Sequence, residues 1–229
     1  MAINLVDQAD NAVNIEHVLV SVSDKAGLDA FLPELAGGNP RLTIYSTGGT
    51  YQALKEMLGE SAASRHLVQV SAYTGQPEMQ GGLVKTLDFK IYLGLLSETY
   101  NAAHVADLAR TKAVAIDMVV VNLYPFKQAI ARAGVTPEMA RTNIDIGGPC
   151  MVRASAKNFL RVAPVTDPAD YPRILAELGK SGGRLSLKTR FDLATKAFTH
   201  TAEYDAAISR YLAARTVEEV SECYKVQRG

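Results

Sequence analysis

The chain has 229 residues, 48% of them hydrophobic, with 24 Lys and Arg set against 24 Asp and Glu. That apolar content and the lack of low-complexity tracts exclude a disordered chain and provide for one sizeable domain. A zero formal charge with no long basic run excludes nucleic acid and anionic membrane as main partners.

The apolar run Met118-Val119-Val120-Val121 is too short to span a bilayer. Asp7, Asp10 and Glu16 occupy a start without a basic stretch and apolar core, so no secretory leader is expected. Cys150 and Cys223 cannot build a disulfide framework, and the four histidines are scattered without metal-ligand spacing. The expectation is a cytoplasmic protein that binds no metal.

In chain order, short β-rich runs alternate with helical patterns, which predicts a mostly parallel sheet flanked by helices. His17 to Val22 is the first expected strand, and Lys25 to Ala36 a helix that Pro33 bends or shortens. Leu42 to Ser46 follows as a strand, Thr50 to Leu58 as a helix and Leu67 to Val70 as a strand. Ser71 to Val84, with Gly75, Pro77, Gly81 and Gly82, is expected to be a long loop, functional or mobile. Helices are expected over Thr86 to Leu96 and Ala102 to Thr111, with Asp117 to Asn122 as a central apolar strand.

Pro125 and Thr136-Pro137 open short helices, and the Gly147-Gly148 turn opens another. A strand over Arg161 to Val165, a helix from Asp167-Pro168 to Leu178 and a break at Ser181-Gly182-Gly183 come next. Ser186 to Ala214 is expected to form two amphipathic helices. The organisation predicted is an extension over 1–16, an α/β domain over 17–180 and a helical C-terminal segment over 181–229.

Loops that follow strands and enter helices are where open α/β sheets bind ligands. Ser21-Val22-Ser23-Asp24-Lys25-Ala26-Gly27 is one; a lysine in a helix's first turn opposes the macrodipole unless an anion joins it. A solvated Lys25 beside a capping Asp24 is the plain alternative. Thr47-Gly48-Gly49-Thr50 is a second, a plausible phosphate cradle that is neither a Walker loop nor a dinucleotide fingerprint. Asn122 and Tyr124 bring an amide and a phenol to the end of the apolar strand, with Phe126 assigned to the core. Lys85 and Thr86 close the long loop, and Asp145 sits in a turn that starts a helix ending near Lys157. That last pair reads equally as an N-cap and a C-cap. Lys25, Lys85 and Lys157 with two Gly-rich turns suggest an anionic small molecule, most simply a sugar phosphate.

Several segments in register resemble the inosine monophosphate cyclohydrolase domain of the bifunctional purine-synthesis enzyme. They are S-V-S-D-K at 21–25, S-T-G-G-T at 46–50, T-G-Q-P-E-M at 74–79, V-K-T-L at 84–87 and V-N-L-Y-P-F at 121–126. N-I-D-I-G-G-P at 143–149, R-A-S-A-K-N at 153–158 and K-A-F-T-H-T-A-E-Y-D-A-A-I-S at 196–209 complete the set.

The resemblance implies a methylglyoxal-synthase-like α/β fold. It also implies closure of the formamido-imidazole carboxamide ribonucleotide to inosine monophosphate, with release of water and without a cofactor. Ser23, Asp24, Lys25, Thr47, Gly48, Gly49 and Thr50 would hold phosphate and ribose. Lys85, Thr86, Asn122, Tyr124, Asp145 and Ile146 would surround the base. Lys157 matches the family's proton donor or acceptor. A straight helix from Gly148 to Lys157 would separate its ends by about 14 Å.

The family usually reads G-R-V-K-T-L-H-P, with a second histidine three residues after the proline. This chain has Leu83 for the arginine, Asp88-Phe89 for His-Pro and Tyr92 for the later histidine; Cys150 and Ser155 stand where Thr and Ala are usual. No transformylase domain follows Gly229, so the expectation is a stand-alone cyclohydrolase fed by a separate transformylase, with homodimer formation left open. The rival expectations are a nucleotide-binding regulator or inactive partner and a methylglyoxal-synthase-type lyase. The lyase's set of catalytic aspartates is not found.

Overall fold

A computed structural model describes residues 5–77 and 85–227. Its centre is a five-stranded sheet, all neighbouring pairs parallel, built from β2 (His17–Val22), β3 (Thr43–Ser46), β4 (Leu67–Gln69), β5 (Met118–Asn122) and β6 (Ala163–Val165). The order is β4-β3-β2-β5-β6. β5 is an interior strand as expected, but the middle of the sheet is β2. The chain runs from β2 to one edge and returns on its other side as β5. The topological switch point therefore lies between the C-terminal ends of β2 and β5, where ligands gather in such sheets.

Strand periodicity divides the core. Val18, Val20 and Val22 of β2, with Met118 and Val120 of β5, face a cluster containing Leu28, Phe31, Leu32, Leu54, Tyr171 and Ile174. These come from α1 (Leu28–Gly38), α2 (Gly48–His66) and α9 (Tyr171–Ser181). Leu19, Val119 and Val121 point the other way, onto Ile91, Leu95, Met151, Val152, Ala194 and Ala197. That face is covered by α4 (Phe89–Leu96), α8 (Gly147–Lys157) and α10 (Leu187–Ala213). With both faces covered, the strands are nearly continuous apolar runs.

Local sequence sets most boundaries, and the structure departs from the expected ones at four places. α2 passes Leu58, but Gly59 at φ 71° and ψ 162° kinks it one residue beyond the expected end. Pro33 lies inside α1 without ending it. Residues Leu187–Ala213 form one helix instead of two, because no Gly or Pro interrupts them. The start of the expected long loop is helical, as α3 (Val70–Thr74) capped by Gly75 at φ 80°, and 78–84 lie outside the described residues. The expected helix over 102–111 is α5 (Ala102–Thr111), and the short ones are α6 (Phe126–Ile130) and α7 (Pro137–Thr142).

The chain's first described segment is tied in as β1 (Ala12–Asn14), antiparallel to β7 (Arg184–Ser186). Arg190 of α10, fully buried, locks this corner by donating to the carbonyls of Asp10, Phe159, Leu160 and Leu185. α10 packs on α8 and β6, and a last short helix, α11 (Val217–Ser221), reaches α7.

Candidate functional site

At the switch point lies a cavity of about 570 Å³, lined by the turns after β2, β3 and β5 and by the start of α8. Each wall is set by a different local device.

The first wall is the loop Ser23-Asp24-Lys25. Asn122, at the end of β5, accepts from the amides of Ser23 at 2.7 Å and Asp24 at 2.9 Å, and donates to the Asp24 carbonyl at 2.6 Å. Its amide is thus largely used as a clamp across the switch point, although the residue still lines the cavity. Asp24 accepts from the Ala26 amide at 3.0 Å in an Asx turn and does not line the cavity. The contact it makes here shapes the loop. Gly27 ends that loop at φ 73°, with the Tyr171 ring 3.3 Å from where a side chain would start.

The second wall is Thr47-Gly48-Gly49-Thr50. Thr47 makes no side-chain cap, so the first amides of α2 keep no partner within the helix, an arrangement suited to an anion. Lys85 Nζ lies 3.1 Å from the position a Gly48 Cβ would take, which sets a cation against this turn. Thr50 is a stitch instead of a free donor: its hydroxyl donates to the Val22 carbonyl at 3.1 Å and accepts from the Val22 amide at 3.3 Å.

The third wall carries Tyr124, 51% exposed, and the Asp145 turn with Ile146, 61% exposed. Two apolar surfaces thus lie open beside the polar groups. Asp145 Oδ1 accepts from the Gly148 amide at 2.9 Å, and the backbone of Tyr124 bonds the same carboxylate. Burial nevertheless pushes this carboxyl above the ordinary aspartate range, with the two backbone bonds opposing. The Asp145 amide is taken by the Tyr204 hydroxyl at 2.8 Å. Of the turn's N–H groups, those of Ile146 and Gly147 have no partner among the described residues and suit an anion. Thr86 lies close by: a Cβ on Gly147 would sit 2.8 Å from its Oγ1.

Ser23, Lys25, Thr47, Gly48, Gly49, Thr50, Lys85, Thr86, Asn122, Tyr124, Asp145 and Ile146 all line this cavity. Lys157 does not. It is exposed at the far end of α8, and an 11-residue helix at about 1.5 Å per residue carries it away from Asp145. Leu83 lies outside the described residues. Ser21 and Ile144, which stand in the motifs without a role of their own, also line it, and sequence reasoning missed Thr142 and Met151 on the lining and the part of Tyr204 behind it. A helical apolar pattern assigns Tyr204 to the core, and its hydroxyl bond across 59 residues leaves no local signal. Among the described residues, no group of three or more His, Cys, Asp or Glu is placed to hold a metal ion. No described helix is long and apolar enough to cross a membrane.

Comparison with known sequences adds the family. The MGS-like domain profile matches residues 36–150, half of the chain. The chain belongs to the MGS-like domain family. A second profile, for the AICARFT/IMPCHase bienzyme, matches residues 155–228, from the last turn of α8 to beyond α11.

Relatives of this MGS-like chain include the bifunctional purine biosynthesis protein PurH of Chlorobium luteolum, 50% identical over 198 residues. That match covers 86% of this chain and 36% of the relative. PurH of Ruminiclostridium cellulolyticum is 46% identical over 198 residues, covering 86% and 37%. The chain therefore spans about a third of the length of these relatives. The crystal structure of ForH superposes with a TM-score of 0.74 at 31% identity, covering 87% of this chain and 97% of that one.

Proposed function

We propose that this protein is an inosine monophosphate cyclohydrolase, closing the pyrimidine ring of the formamido-imidazole carboxamide ribonucleotide. The supporting observation is the convergence of Asp145, Lys85 and the Ile146 and Gly147 amides on one cavity at the sheet's switch point. The uncapped start of α2, with Lys25 and Lys85, suits the nucleotide's phosphate. Tyr124 and Ile146 offer apolar surface to the flat base.

Ring closure has two stages. The carboxamide nitrogen bonds to the formyl carbon and loses one proton, while the formyl oxygen becomes negative and then a hydroxyl. Asp145 is positioned to take that proton, and a carboxyl raised by burial is a better base than an ordinary one. Lys85 and the helix-start amides oppose the oxyanion's charge. In the second stage the carbon–hydroxyl bond breaks, the formamide nitrogen gives up its proton, and water departs. The Tyr124 phenol at the cavity is the proton donor for that hydroxyl in this scheme. Both reacting groups sit on one ring, so positioning supplies much of the rate.

With this reading go a cytoplasmic location and a separate transformylase that makes the substrate; light scattering decides whether the chain is a homodimer. The test of the activity supplies the purified protein with the formylated ribonucleotide and follows the purine absorbance. Tight nucleotide binding without turnover would make it a regulator, and release of methylglyoxal from a triose phosphate would make it a lyase.

A further inference from the structure

The turn that carries Asp145 is held from a distant part of the chain. The Tyr204 hydroxyl, on α10, accepts from the Asp145 amide at 2.8 Å and donates to the Asn143 carbonyl at 3.3 Å. A phenol has one proton to give and lone pairs to receive with, so both contacts form together. The ring is 8% exposed and meets Phe126 edge-on, centroids 6.3 Å apart. Phe126 is itself buried and is met edge-on by Tyr211 from the next turns of α10. The hydroxyl therefore has fixed apolar support beneath it and two backbone groups of one turn above it.

This arrangement settles which groups of the turn can serve a ligand. With its own amide bonded outward, Asp145 turns its carboxylate to the Gly148 and Tyr124 backbones. We infer that Tyr204 is a positioning residue of the candidate site: its hydroxyl sets the Asp145 turn, so that α10 completes a site whose carboxylate lies in the MGS-like segment. The two profile matches divide between these partners. Asp145 falls in residues 36–150 and Tyr204 in residues 155–228. The segment that extends this chain beyond a bare MGS-like domain thereby reaches the reacting end of the cavity.

The kinetic consequence rests on the cyclohydrolase reading, whereas the structural one rests on the geometry alone. In Tyr204→Phe the ring and its contact with Phe126 remain and only the hydroxyl is lost. We expect kcat to fall about tenfold with KM changed less than about twofold, because the carboxylate loses its set position. Tyr211→Phe, which removes a hydroxyl from the same helix without touching the turn, leaves both unchanged. Placed on Asp145→Asn, Tyr204→Phe should cost no more than about twofold further, since the two act as one unit. Amide exchange at residues 145–148 should quicken by about tenfold in Tyr204→Phe while that of α10 does not change.

Unchanged exchange at the turn, or a kinetic loss that multiplies in full onto Asp145→Asn, overturns the inference. If the wild-type protein fails to turn over the ribonucleotide, the cyclohydrolase reading falls by itself and the exchange experiment still decides Tyr204. If Tyr204→Phe fails to fold, the wild-type protein decides: a protected Asp145 amide supports the bond, and one exchanging like a free amide refutes it.

Discussion

Asp145 and Gly148 fit one another too closely for any side chain to come between them. Oδ1 accepts from the Gly148 amide at 2.9 Å, and a Cβ on Gly148 would lie 2.4 Å from Oδ2. The bond to the Gly148 amide uses a single oxygen, so capping is compatible with the chemical role proposed for Asp145. Asp145→Asn keeps a carbonyl oxygen for the Gly148 amide and loses the ability to take a proton. Turnover of the formylated ribonucleotide should drop by at least about tenfold with the circular dichroism unchanged. An unaltered rate would remove Asp145 from the chemistry.

The pH profile should carry the mark of the same burial. The Asp145 carboxyl is held above its ordinary range by desolvation, and the Gly148 and Tyr124 backbones only partly offset this. A base works when ionised, so kcat/KM should decline as pH falls through this raised value, above the ordinary aspartate pKa of about 4. The sign for stability is opposite. A raised folded-state pKa means that ionised Asp145 weakens the fold above that pH, and protonation relieves it on acidification. Asp145→Asn should abolish the acid limb and melt no lower than wild type at neutral pH.

Gly148→Ala tests the close fit directly. The new methyl would meet both Oδ2 and, at 2.7 Å, Leu123 Cδ2. Leu123 is buried, so the carboxylate gives way first or the start of α8 shifts. The cost should be about 1–3 kcal/mol in urea denaturation, together with a kcat loss as large as that of Asp145→Asn. A variant with wild-type turnover would show that the carboxylate tolerates displacement.

Asn122→Ala should separate binding from chemistry. It frees the Ser23 and Asp24 amides and the Asp24 carbonyl from a clamp made over 98 and 99 residues of chain. The Lys25 loop would lose its definition while Asp145 and its turn do not change. A rise in KM of about tenfold, with kcat altered less than about threefold, is the expected split. An effect on kcat alone would put Asn122 at the reacting atoms.

Most of this site was legible in the sequence because strand–turn–helix signals are local. The end of β2, the Gly48-Gly49 turn and the Asp145 turn are each read from residues adjacent in the chain. What the sequence concealed is the direction in which polar side chains point. Asn122 and Thr50 lie on the cavity wall yet use their polar atoms on neighbouring backbone, a choice set by parallel pairing of β2 with β5 and by α2 packing. Lys157 shares a contiguous motif with Asp145, and a full-length α8 sets the two apart as the straight-helix distance implies. Tyr204 was hidden because a bond spanning 59 residues has no periodicity.

The far end of the sheet offers a control that leaves the cavity alone. Arg161, 6% exposed, donates to the carbonyls of Ser97 at 3.1 Å, Ile116 at 3.0 Å and Gly94, and pairs with Asp117 at 3.4 Å. Asp117 in turn accepts from the Glu16 and His17 amides at 3.0 and 2.9 Å, just before β2 and β5 begin. Burial raises the Asp117 carboxyl, while those two amides and Arg161 oppose the rise. Arg161→Met leaves a buried carboxylate with only the His17 ring, 3.8 Å away, as a further ionisable partner, and three carbonyls without their donor, at a cost of about 3–5 kcal/mol. The folded-state pKa of Asp117 then climbs further above its unfolded value. Its penalty is full above the folded pKa and vanishes below the unfolded one, so the deficit against wild type should be smaller at an acidic pH than at pH 7. Asp117→Asn added to Arg161→Met should recover part of the loss at pH 7, because a neutral amide is less costly to bury than an unpaired charge. Urea denaturation at the two pH values measures both effects. A deficit that does not change with pH would assign the loss to the three carbonyls and not to Asp117.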